Sequence, residues 1–211
     1  YLLIEDCIIS NNIGVSYAHQ FNNCIIRNNE IVGNSSGLSV SWGSNTLITN
    51  NNVHHNNGTS IHFDSMFNSI IEKNNIHDNE IIIENEYSSA RYGIHVENSE
   101  NNNIKKNTIS TTSKNVGGIL LKLTSNNIIE DNIISLEGST LNRGAILFAD
   151  ANNNIINNND LDSKSDFEIY MSHVSSSGDL SGNRFSKVKI HNTIISSDNF
   201  YYSSMKNEDP Q

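Results

Sequence analysis

The chain has 211 residues, a formal net charge of -10 and no apolar run long enough to span a bilayer. That charge argues against nucleic acid as a partner, because phosphate neutralisation needs clustered Lys and Arg; a metal ion, another cation or a neutral to mildly acidic glycan is compatible with it. Thirty-eight residues are Asn, yet they keep a fixed register with Ile and Val, which a disordered tract has no reason to do.

The register is a frame of apolar, two variable residues, Asn, one variable residue, apolar. It opens with Cys in the Asn place at Ile4/Cys7/Ile9. It runs on through Ile26/Asn29/Ile31, Ile48/Asn51/Val53, Ile71/Asn74/Ile76, Ile104/Asn107/Ile109, Ile129/Asn132/Ile134, Ile156/Asn159/Leu161 and Leu180/Asn183/Phe185. It closes with Asp at Ile195/Asp198/Phe200. The first apolar position recurs after 22, 22, 23, 33, 25, 27, 24 and 15 residues. Self-similarity at such a period means a solenoid, one elongated domain in which each coil touches only its neighbours.

Each coil reads as three short strands. The first two flank the frame's Asn. The third follows a variable loop and usually starts at Gly or a small residue, from Gly14-Val15-Ser16-Tyr17 through Gly93-Ile94-His95-Val96 to Val188-Lys189-Ile190. Alternation within each strand sends every second side chain inward, so stacked coils share one apolar interior. The Asn column is expected at the bend between the first two strands. Asn tolerates the left-handed backbone there, and its amide would bond the coils above and below. Cys7 and Cys24 are about five strand residues out of register, roughly 16 Å, so a disulfide is not expected and both are read as small buried side chains. Trp42 and Tyr17 fall at inward or turn positions and are expected to pack in the core.

Two coils break the rhythm. One carries an insertion, 80–92, expected to fold back as a wall beside the third strands. The last frame is short, and 187–202 is expected to cap the C-terminal end, leaving a domain of 1–202 and a flexible tail of 203–211. The N-terminal end shows no cap, so missing residues, another domain or a subunit are expected to cover its strand edges. The chain begins inside a coil, as an excised domain would, so the lack of a signal peptide does not bear on location.

The Ile-x-x-Asn-x-Ile frames and the Gly-Ile-His-Val type strands resemble the right-handed parallel β-helix superfamily, and most of all its NosD-like repeat branch. The resemblance covers nearly the whole chain and implies an all-β solenoid of about eight coils with an internal Asn ladder. It says little about function, because the same repeat serves lyases, hydrolases, epimerases, adhesins and scaffolds.

The outward positions of the third strands line up as two columns: Ser39, His62, His95, Leu120, Leu147 and Ser41, Asp64, Glu97, Lys122, Ala149. Two imidazoles and two carboxylates therefore fall in one block, although like charges opposite one another on paired strands are destabilising. Such a block suits a shared cation or groups with split pKa values. The polysaccharide lyases that the fold resembles imply Asp64 and Glu97 as ligands of Ca2+ and Lys122 as base. His62, His95, Arg91, Tyr92 and Arg143 would then contact a glycan. The same residues also read as a surface salt bridge, Glu97 with Lys122, beside neutral stacked imidazoles. A second pair, His54 and His77, lies next to His55 and Asp78. Motifs of the alginate epimerases and polygalacturonases are absent, and the only Pro is Pro210.

Three functions follow from this reading. The first is an extracellular, cell-surface or periplasmic module that binds or cleaves a polysaccharide on the third-strand face. The second is a non-catalytic scaffold or adhesion domain. The third is a metal-handling protein of NosD type.

Overall fold

The computed structural model describes residues 1–12, 16–79, 91–113, 116–137, 144–164, 168–172, 178–190 and 200–203. It is an all-β solenoid of three parallel sheets, each with eight strands hydrogen-bonded in coil order. One coil shows the plan: Ile70–Glu72 lies in the first sheet, Asn75–His77 in the second and Arg91–Glu97 in the third. No helix occurs among the described residues.

The inward columns account for the register. Ile26, Ile48, Ile71, Ile104, Ile129 and Ile156 stack through the first sheet and are fully buried. Ile31, Val53, Ile76, Ile109, Ile134 and Leu161 do the same through the second. Slipping any strand by one residue would turn its buried residue to solvent, so the apolar pattern permits one alignment. The interior is closed over about six turns. In the terminal coils Ile4, Ile9, Phe185 and Val188 are only partly buried, so the expected eight coils are six closed turns with a half-open one at each end.

The Asn ladder is present, and it is one of three. In the expected column the backbone N–H and Nδ2 of Asn107 both donate to Asn132 Oδ1, at 3.0 and 3.0 Å, while Asn132 Nδ2 donates to the Ile104 carbonyl at 2.9 Å. The left-handed backbone belongs to the residue before each ladder Asn, including Lys73 (φ 55°) and Lys106 (φ 55°), and not to the Asn itself. The ladder Asn is therefore selected for the buried polar groups that it satisfies. A second column, Asn34, Asn56 and Asn79, follows the second sheet. A third, running from Thr46 and Ser69 into Asn102, Asn127, Asn154 and Asn183, turns the chain from the third sheet into the first.

This third column explains a misreading at the C-terminal end. Asn183 continues the column of Asn154, and Phe185 pairs with Ile156, so the frame Leu180/Asn183/Phe185 is out of phase with the others. Lys189–Ile190 accordingly belongs to the second sheet, and Phe200–Ser203 supplies the eighth strand of the third. The positions Ile195 and Asp198 and the tail from 204 lie outside the described residues. Cys24 is buried and Cys7 exposed, both as free thiols. Cys7 was expected inside, but it stands on the first, half-open coil.

Candidate functional site

The strand Ile61–Phe67 pairs with Arg91–Glu97, which pairs with Val116–Lys122. Ile61, Phe63, Ile94 and Val96 are fully buried in the interior. With those positions held inside, strand alternation turns His62, Asp64, His95 and Glu97 to the outer face. His62 stands beside His95, Asp64 beside Glu97, and Glu97 beside Lys122, as the sequence columns require.

The imidazoles of His62 and His95 stack, with centroids 4.6 Å apart and planes 21° apart. Both Nε2 atoms are buried and make no hydrogen bond. Burial pushes His95 down to about 3, with neighbouring His62 and Lys122 adding to the effect. Burial also lowers His62, outweighing the opposing pull of the Glu97 and Asp64 carboxylates. Glu97 Oε2 stands 3.6 Å from His95 Nε2, while Lys122 Nζ sits 2.7 Å from Glu97 Oε1 and neutralises it. Lys122 thus opposes a charge on both imidazoles, and burial remains the largest cause at each. Ligand atoms of His62, His95 and Glu97 all lie within 4.8 Å of one another, the one such grouping among the described residues. Asp64 stands at the edge, where its Oδ1 accepts from Ser65 Oγ at 3.0 Å and Asn98 Nδ2 at 3.1 Å.

Arg91 and Tyr92 belong to the strand itself. The backbone breaks its alternation at Gly93, where an added Cβ would meet Ile109 of the interior at 2.6 Å. Two successive inward positions, Gly93 and Ile94, leave Tyr92 on the outer face, its ring 5.7 Å from His95. There it is buried with Leu120, Leu147 and Ala149, with Tyr170 packed alongside. The outer face thus divides: polar around His62, Asp64, His95 and Glu97, apolar from Leu120 onward. Arg91 is half-buried beside Val116, and its Nε makes no hydrogen bond. Arg143 and residues 80–90, the expected wall, lie outside the described residues.

The second histidine pair stacks equally well, with His54 and His77 centroids 4.9 Å apart. Its nitrogens are occupied. His54 Nε2 meets Glu30 at 3.1 Å and its Nδ1 meets His55 at 2.7 Å, while His77 bonds Asp78 at 2.8 Å and Asn52 at 3.1 Å. Trp42 contradicts the core assignment: it is 60% exposed, at a left-handed corner inside the strand Leu38–Ser44. Side-chain alternation ends at that corner, so counting along the strand could not find its direction.

The sequence profile described as periplasmic copper-binding protein (NosD) matches residues 78–208. The chain belongs to the NosD family. A profile of the right-handed β-helix region matches residues 1–88, so the two together span nearly the whole NosD-family chain. No curated protein matches it in sequence. Among solved structures it is similar to DFA-IIIase from Arthrobacter chlorophenolicus A6 in complex with GF2, with a TM-score of 0.61 and 15% identity over 87% of this chain and 45% of that one. It is similar also to the mannuronan C-5 epimerase AlgE4 A-module of Azotobacter vinelandii, with a TM-score of 0.54 and 16% identity over 90% and 62%. The surface protein and adhesin PfbA of Streptococcus pneumoniae gives 0.53 and 13% over 87% and 49%. The chain spans about half to two-thirds of these structures, and at such identities the likeness is one of fold.

Proposed function

We propose that this chain is a metal-binding β-helix acting outside the cytoplasm, and that His62, His95 and Glu97 hold the ion. The observation that carries the reading is the stacked imidazole pair with both Nε2 atoms buried and unbonded beside a carboxylate. A buried polar nitrogen without a partner costs about 1–3 kcal/mol, which coordination would offset. Burial also keeps both rings in the neutral form that binds metals. Imidazole nitrogen with one carboxylate suits copper or zinc, whereas calcium takes oxygen ligands throughout. The family's description, periplasmic copper-binding protein, agrees in both metal and compartment. A copper ion there would serve for storage or transfer, with Lys122 exchanging its place on Glu97 for the ion.

The second reading is glycan binding or cleavage on the same face, with Asp64 and Glu97 holding Ca2+ and Lys122 as base. The adjacency of the two carboxylates favours it. The Glu97–Lys122 pair weakens it, since an ammonium held by a carboxylate is a donor and not a base. A scaffold role would need none of these groups to bind anything.

The deciding experiment is a titration of the metal-free protein with Cu2+, Zn2+ and Ca2+, followed by calorimetry and, for copper, by absorption and electron spin resonance. One equivalent of Cu2+ with nitrogen ligation, weakened about 100-fold or more in His62→Ala/His95→Ala, is the expected result. Equal affinity in the folded double variant would refute the metal reading. Calcium-dependent glycan binding lost in Asp64→Ala/Glu97→Ala would move the second reading ahead.

A further inference from the structure

A corner at or near the end of the third strand recurs in six successive coils among the described residues, and its geometry is demanding. Gln20, Trp42, Ser65, Asn98, Leu123 and Asp150 occupy successive coils there, all with φ between 49° and 66°. This left-handed conformation favours Asn, Asp and Gly and is an outlier for a bulky side chain. Ser, Asn and Asp are ordinary choices at such a turn. Trp42 and Leu123 are not: their φ angles are 58° and 52°, and they leave 60% and 45% of their surface in water, the indole being the more exposed. Neither backbone preference nor core packing accounts for an indole at this position.

The surroundings of Trp42 indicate what it would meet. Register places Ser41 beside Asp64, so Trp42 stands next to Ser65 on the following coil. Asp64 Oδ1 is fixed by Ser65 and Asn98, while Oδ2 accepts no hydrogen bond among the described residues. Gln20, also exposed, flanks Trp42 on the preceding coil, its backbone N–H bonded to the Ser41 carbonyl at 3.1 Å. An exposed indole one residue along from Ser41, which pairs with Asp64, matches one chemistry well. The C–H face of a pyranose ring packs on the negative face of the indole, and the ring hydroxyls donate to the carboxylate. The Asp64 carboxylate itself opposes a uronic acid at this corner. No second ring contacts Trp42 among the described residues to form the aromatic cage that a quaternary ammonium prefers.

We infer that Trp42 and Asp64 form a subsite for a neutral hexopyranose unit of a glycan, at the corner beside the imidazole pair. The subsite requires no metal and does not rest on the copper reading.

Trp42 is the only tryptophan, so its emission reports on this corner alone. The whole chain is titrated with soluble oligosaccharides of glucose, galactose, mannose and N-acetylglucosamine, and in parallel with an oligogalacturonate and with choline. A saturable blue shift with at least one neutral sugar is expected, unchanged by chelator. By calorimetry Asp64→Asn weakens that binding, and Trp42→Asn weakens it about tenfold or more. Because Asn suits the left-handed corner, Trp42→Asn should also raise the melting temperature by roughly 2–4 °C, separating loss of binding from loss of fold. No response to any neutral sugar, a response only to the uronate or to choline, or undiminished affinity in Trp42→Asn would each overturn the inference.

Discussion

Among the described residues two pairs of stacked histidines stand on this solenoid, one on the second sheet and one on the third, and they differ in what their ring nitrogens meet. His54 and His77 on the second sheet have carboxylate, amide and imidazole partners within hydrogen-bond reach. His62 and His95 on the third sheet have buried Nε2 atoms with no hydrogen bond, beside a carboxylate that Lys122 already neutralises. In the sequence both pairs are a histidine repeated one coil later at a β position. The difference arises from what surrounds each pair. Tyr92 packs near His95 and helps remove it from water, whereas the second pair is ringed by polar side chains at its own surface. Stacking and burial alone therefore say little about chemistry, since the His54 side chain is 13% exposed and that of His95 17%; unfilled nitrogens distinguish a ligand pair from a satisfied one.

The largest test of that contrast is acid. His95 is held neutral in the fold, at about 3, against an ordinary value near 6.5. The unfolded chain thus takes up a proton that the native state refuses between these values, and stability falls as pH falls through that window. From pH 7 to pH 4 His95 alone should remove about 3 kcal/mol from the stability of the metal-free protein, read from urea midpoints at each pH. His95→Gln should remove most of that slope. A slope unchanged in that variant would show that His95 is not the group responsible.

Lys122 gives a smaller and more discriminating effect. It neutralises Glu97 and helps to lower both imidazoles. Lys122→Gln should therefore strengthen Cu2+ binding about three- to tenfold at pH 7, as a competitor and a like charge are removed together. If Lys122 were instead the base of a glycan-cleaving site, the same variant would lose product formation and leave metal affinity alone. The smallest effect is expected at the other pair. His54→Ala/His77→Ala should change stability by about 1 kcal/mol or less, because their partners Glu30 and Asp78 are exposed and such surface ion pairs contribute little, and should leave copper affinity intact. Loss of copper in that variant would invert the comparison.

Much of the architecture was legible in advance. The Ile and Val columns repeat at the solenoid period, and the outward columns Ser39-His62-His95-Leu120-Leu147 and Ser41-Asp64-Glu97-Lys122-Ala149 appear in the sheet register residue for residue. Legibility ended where one pattern had two meanings. Asn at a frame position fits either of two corners five residues apart, as Asn154 and Asn159 show, and so the C-terminal coil was read out of phase. Gly93 marks the start of a third strand in the sequence, but in space it turns Tyr92 outward.

By itself the sequence determined the solenoid, its three faces and which side chains share a column, because these follow from the period of two along a strand and the repeat of the coil, both local properties. Tertiary structure decided which columns are dry. Burial of His62 and His95, exposure of Trp42 and occupancy of each imidazole nitrogen depend on neighbours brought together from different coils. No spacing along the chain encodes the water that those neighbours exclude.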